Sequence, residues 1–146
     1  MESHLWSEGA FGAVVDPPNA APPLPLHVAI ARATSHLSRD LRVRAVVIPS
    51  HTGATARMVA AARPAAPIVA VSSDAGVCRR MNMLWGVVPD CVDAADLARP
   101  PELARRVARE LGLASAGDYL LIVNGFGGGV AETEIAPSPA IMALLA

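Results

Sequence analysis

From residue 26 onward the chain alternates between one-sided apolar stretches and short, unbroken apolar runs. Over residues 26–41, Val28, Ile30, Ala31, Ala33, Thr34 and Leu37 fall on one broad helical face, with Arg32, His36 and Arg39 outward. Ala45-Val46-Val47-Ile48 is continuous, as in a strand buried on both faces. Residues 54–62 form the next helical stretch, carrying Met58 and Val59, and residues 67–71 a second buried strand. Residues 74–84 read as a helix with Asp74 placed to cap it. A short strand over 86–92 is interrupted by Pro89, and a helix over 101–113 closes at Gly112 or Gly117. Residues 119–123 are another buried strand, followed by a glycine-rich loop over 125–129. Residues 130–136 then alternate, with Val130, Glu132 and Glu134 opposed to Ala131, Thr133 and Ile135.

Strands alternating with helices predict a three-layer, open α/β sheet with helices on both faces. The expected sheet has about five strands, mostly parallel, with an antiparallel edge strand at 130–136. Glu132 and Glu134 on that edge would deter edge-to-edge association. Residues 1–26 read as a linker or extended segment, because Asp16-Pro17-Pro18-Asn19 and Pro22-Pro23-Leu24-Pro25 break helix and strand alike. The folded domain is expected over residues 27–146.

Composition narrows the partners. Of 146 residues, 53% are hydrophobic and only 3% aromatic, so the core must be built from small, close-packed side chains. The formal charge is -1 and no lysine is present, which leaves nucleic acid no electrostatic foothold. The apolar runs are strand-sized, far too short to span a bilayer. Cys78 and Cys91 make neither a disulfide framework nor a zinc spacing. They read as free, packed thiols in a reducing compartment, hence a cytoplasmic protein.

Two loops are candidates for chemistry. Ser50-His51-Thr52-Gly53-Ala54-Thr55 joins a buried strand to a helix start, where hydroxyls, backbone N–H groups and the helix dipole favour an anion. The same hydroxyls could equally do no more than cap the helix and shape the turn. The loop is not a Walker motif, lacking both spacing and lysine. The second, Asn124 to Gly129, reads as a flexible connection, with a phosphate-closing flap around Gly127 and Gly128 as the alternative. Arg79-Arg80 and Arg105-Arg106 read as solvated helix faces. No carboxylate pair, metal cluster or nucleophile–base pair is evident, so a small unrelated α/β enzyme using His51 or Cys78 is the weakest reading.

The residues from Ala45 to Val59 resemble the pyruvate kinase carboxyl-terminal pattern of strand, Pro-Thr-x-Ser-Gly-x-Thr/Ser loop and helix. Arg63-Pro64-Ala65-Ala66-Pro67-Ile68-Val69-Ala70-Val71 is similar to the family's Arg-Pro-x-x-Pro-Ile-x-Ala-x-Thr stretch. Residues 78–89, with Arg79-Arg80 and Trp85-Gly86-Val87, resemble Arg-Arg-Leu-x-Leu-x-Trp-Gly-Val-x-Pro, and Gly117-Asp118-Tyr119 begins a similar strand. The resemblance covers roughly residues 27–135.

It implies a five-stranded α/β domain that binds a sugar-phosphate effector in many members and builds an oligomer interface. Ser50, Thr52, Gly53 and Thr55, with His51 and Ala54 between them, would hold the effector's phosphate, and the loop around Gly127 and Gly128 would close over it. Ala54 replaces a commonly large or cationic side chain, and Ala131-Glu132-Thr133 replaces the usual Thr-Asn pair. Catalysis in the family resides in a barrel that uses Mg and K ions, a lysine and a Glu/Asp pair. This chain alone is therefore expected to transfer no phosphoryl group and to hold no cofactor or metal. Its expected partners are the effector, other copies of itself or a pyruvate kinase barrel. A free-standing assembly module with a vestigial anion loop is the alternative.

Overall fold

The computed structural model describes residues 21–124 and 140–146. Ten elements follow one another: α1 (Leu26–Asp40), β1 (Ala45–Pro49), α2 (Ala54–Ala61), β2 (Ile68–Ser72), α3 (Ala75–Met81), β3 (Val87–Cys91), α4 (Ala94–Leu97), α5 (Pro100–Glu110), β4 (Tyr119–Val123) and β5 (Ile141–Leu145). The strands form one sheet in the order β3-β2-β1-β4-β5. Every pairing is parallel except β4 with β5, which run antiparallel with Leu121 opposite Ala143.

Period-two alternation divides the core between the sheet's two faces. Val46, Ile48, Ile68, Ala70, Leu121 and Val123 face α1, α2 and α3, meeting Ile30, Ala56, Val59, Val77 and Met81. Ala45, Val47, Val69, Val71, Leu120 and Ile122 face α5, meeting Leu103, Ala104, Val107 and Ala108. Residues 45–48 of β1 are wholly buried, as an all-apolar central strand requires. Right-handed crossovers explain the division, since β1-α2-β2-α3-β3 steps one way and the return through α5 to β4 steps the other.

The predicted architecture is present, with local differences. Pro89 does not interrupt β3; it lies inside the strand opposite Ala70. That is tolerated because β3 is an edge strand, where a missing N–H removes no ladder bond from the interior. The antiparallel edge strand within the described residues is Ile141–Leu145, whereas the expected edge at 130–136 falls outside them. The short α4 was not expected. Of the two glycines expected to close α5, Gly112 is the one used: with φ +67 it follows the capping Leu111, and its N–H donates to the Arg109 carbonyl at 3.0 Å.

The inner face of α1 is more polar than its apolar pattern implies. Thr34, Ser35 and Ser38 are all buried. Thr34 Oγ1 donates to the Ile30 carbonyl at 2.9 Å and Ser38 Oγ to the Ser35 carbonyl at 2.7 Å. Ser38 Oγ also accepts from the Ala65 N–H at 2.8 Å, so one hydroxyl fixes the loop entering β2 against α1.

Candidate functional site

Sheet order fixes where a ligand would sit. The chain leaves β1 towards β2 and later returns to β4 on the other side of β1. The carboxyl ends of β1 and β4 therefore flank the point where strand order reverses, the usual binding crevice of such sheets. The loop from Ser50 leaves β1 there, and Asn124 leaves β4 beside it.

Ser50 extends the ladder beyond Pro49, its N–H donating to the Val71 carbonyl at 2.9 Å. Its buried side chain turns back, and Ser50 Oγ accepts from the Gly53 N–H at 2.8 Å. Gly53 stands just before α2 with φ +84, a backbone conformation that L side chains resist. A Cβ there would lie 3.2 Å from Met81 Cγ and 3.8 Å from Val77 Cγ1, so α3 forms the floor of the loop. Thr52 Oγ1 accepts from the Ala54 N–H at 3.3 Å, and the Gly53 carbonyl accepts from the Arg57 N–H at 3.1 Å. Thr55 is buried in the first turn of α2, whereas His51 and Thr52 are exposed and Ala54 half-buried.

The loop is thus a tight turn that presents His51 and Thr52 at the start of a helix. Ser50 and Thr52 satisfy two of the N–H groups that a helix start leaves open. The remaining pair of expected site residues, Gly127 and Gly128, lies outside the described residues, as does Glu132.

Charged side chains outside the loop have partners of their own. Asp74 Oδ1 caps α3, accepting from the Gly76 N–H at 2.6 Å and the Val77 N–H at 3.1 Å. Those two bonds, helped by the nearby Arg80 and Arg79 guanidiniums, hold its carboxyl below the ordinary carboxylate range. The second arginine pair is not simply solvated. Arg105 Nε donates to the Leu145 carbonyl at 2.9 Å, and Arg106 pairs with Asp96 at 2.7 Å. That hydrogen bond lowers the Asp96 carboxyl, and it joins α4 to α5.

An open cavity of about 740 Å³ lies on the α5 side, lined by Asp96, Arg99, Glu102, Leu103 and Arg106. It shares no residue with the loop, and its charges of both signs are partly paired with each other. Among the described residues, no group of three or more His, Cys, Asp or Glu is placed to hold a metal, and no helix is long and apolar enough to cross a membrane. One proximity could not be read from sequence spacing: Cys78 and Cys91 come together at the carboxyl ends of β2 and β3.

Comparison with known proteins agrees with this geometry. The family model described as pyruvate kinase, alpha/beta domain, matches residues 28–136. The pyruvate kinase of Geobacillus stearothermophilus is 36% identical over 98 residues, 66% of this chain and 17% of that protein. Pyruvate kinase 2 of Synechocystis is 33% identical over 119 residues, 80% of this chain and 20% of that protein. The crystal structure of Cryptosporidium parvum pyruvate kinase superposes with a TM-score of 0.67 at 19% identity, covering 86% of this chain and 23% of that one. The chain thus spans about a fifth of the length of these relatives. With the family's strand-loop-helix motif at the switch point and the match running from α1 through β4, the chain belongs to the pyruvate kinase alpha/beta domain family.

Proposed function

We propose that this chain is the regulatory and assembly part of a pyruvate kinase, the cytoplasmic enzyme that makes pyruvate and ATP from phosphoenolpyruvate and ADP. In this reading the loop from Ser50 to Thr55 takes the phosphate of a sugar-phosphate effector. The observation that carries it is the position of the loop at the carboxyl end of β1, beside the β1–β4 reversal and at the start of α2. The left-handed turn at Gly53 sets the loop directly on the start of α2, and the exposed Thr52 hydroxyl is available to donate to a phosphate oxygen. Isothermal calorimetry with fructose bisphosphate, sugar monophosphates and inorganic phosphate tests the reading. Saturable binding that weakens in Thr52→Ala supports it, and silence from all three ligands rejects it.

A second reading rests on a specific observation. Ser50 Oγ and Thr52 Oγ1 already serve the loop's own N–H groups, as they would in a vestigial anion site. The domain would then act in assembly alone, through self-association or contact with a pyruvate kinase barrel. Among the described residues, no strand covers the outer edge of β5, and Leu145 on that strand is 50% exposed. Light scattering tests this reading: a ligand-free dimer or larger species supports self-association, and a concentration-independent monomer excludes it.

A further inference from the structure

The chain has two cysteines, and the fold brings them together from 13 residues apart. Cys91 ends β3 opposite Ser72, and Cys78 lies on α3, one turn beyond its Asp74 cap. Cys78 Sγ is 3.8 Å from both the Ser72 and Asp90 carbonyl oxygens and 2.7 Å from Cys91 Sγ. The two sulfurs are thus in direct contact, as a disulfide between them requires. Both positions are held by the packing of α3 on β2 and β3, and Cys91 is open to solvent.

We propose that Cys78 and Cys91 form a modification site, a dithiol that closes reversibly to an intramolecular disulfide by exchange with a small-molecule disulfide such as oxidised glutathione. The exposed Cys91 thiolate attacks one sulfur of the reagent, forming a mixed disulfide and releasing one small thiolate. Cys78 then loses its proton to solvent and attacks the Cys91 sulfur, displacing the second small thiol. The reagent is reduced to two thiols and the protein loses two hydrogens.

The order of attack follows from the surroundings. Burial pushes the Cys78 thiol up to about 11, and its hydrogen bond with Cys91, the charge of Cys91 and the Asp74 and Asp90 carboxylates add to the effect. Cys78 therefore stays protonated while Cys91 meets the reagent. Once Cys91 is in the mixed disulfide, its hydrogen bond and charge no longer hold the Cys78 proton. Closure ties α3 to the edge strand, and α3 is the helix whose Val77 and Met81 lie beneath Gly53.

Intact-mass analysis of the full chain in glutathione buffers of rising oxidised fraction, acid-quenched and alkylated, tests the proposal. The wild type should convert to a monomer lacking two hydrogens, carrying neither alkyl group nor glutathione, and dithiothreitol should reverse this. Cys78→Ser should stop as a single glutathione adduct on Cys91, while Cys91→Ser should react far more slowly. Two alkylated thiols at every ratio, an accumulating wild-type glutathione adduct or disulfide-linked dimers would each overturn it.

Discussion

The guanidinium of Arg63 lies over the indole of Trp85, 4.1 Å from the ring centroid, and joins the turn after α2 to the turn before β3. Arg63 holds this position with φ +51, unusual for a side chain of its size, and its carbonyl accepts from Ser35 Oγ at 3.3 Å. The contact links two of the segments by which the sequence resembles its family. A double-mutant cycle with Arg63→Ala and Trp85→Ala in urea should give a coupling of about 0.5–1 kcal/mol. Arg63→Gly should be milder than Arg63→Ala by about 1 kcal/mol, because glycine relieves the left-handed backbone. Zero coupling would mean that the stacking adds nothing in solution.

Gly53 is where conformation and packing both exclude a side chain. Gly53→Ala must hold alanine at φ +84 and press its methyl towards Met81 Cγ, 3.2 Å away. The backbone component alone should cost about 1–2 kcal/mol in a urea melt. Adding Met81→Ala removes the contact and leaves the conformational component, while opening a core cavity. The double variant should therefore be less stable than Gly53→Ala. Recovery to wild-type stability would show that the backbone at this glycine is unstrained.

Ser38 carries a small buried network. Ser38→Ala leaves the Ala65 N–H without its 2.8 Å acceptor and removes the hydroxyl donated to the Ser35 carbonyl. A part-buried donor left unsatisfied should lower stability by about 1–3 kcal/mol. Hydrogen exchange at the Ala65 amide should quicken in the variant. An unchanged exchange rate would place that amide's protection elsewhere.

How much of this was legible depended on whether the information was local. Continuous runs such as Ala45 to Ile48 announced the central strands, because burial on both faces leaves no polar position. The loop from Ser50 to Gly53 was equally legible, since strand, hydroxyls, glycine and helix start are contiguous. Non-local features were hidden. Ile141–Leu145 is a short apolar run whose identity as a strand comes from the open edge of β4. Ser35 and Ser38 look like surface residues until the 63–65 turn supplies partners for their hydroxyls. The cysteine pair was illegible for the same reason, because only the β2–β3 register sets Cys91 beside α3.

Asp74 sets a pH dependence with a definite sign. Its carboxyl accepts from the Gly76 and Val77 N–H groups and lies below its ordinary value of 3.8 in the folded chain. A carboxyl depressed by folding contributes stability that is fully present above its unfolded value and lost as pH falls through the folded one. The contribution from Asp74 should therefore be complete at neutral pH and fade below about pH 4. Urea midpoints measured from neutral to acid pH should show wild type above Asp74→Ala at neutral pH, with the gap closing in acid. Asp74→Asn keeps a side-chain acceptor for the cap without a titrating charge, so it should lie between them at neutral pH. A gap between wild type and Asp74→Ala that stayed constant into acid would assign the cap to geometry alone, with no part played by the carboxylate charge.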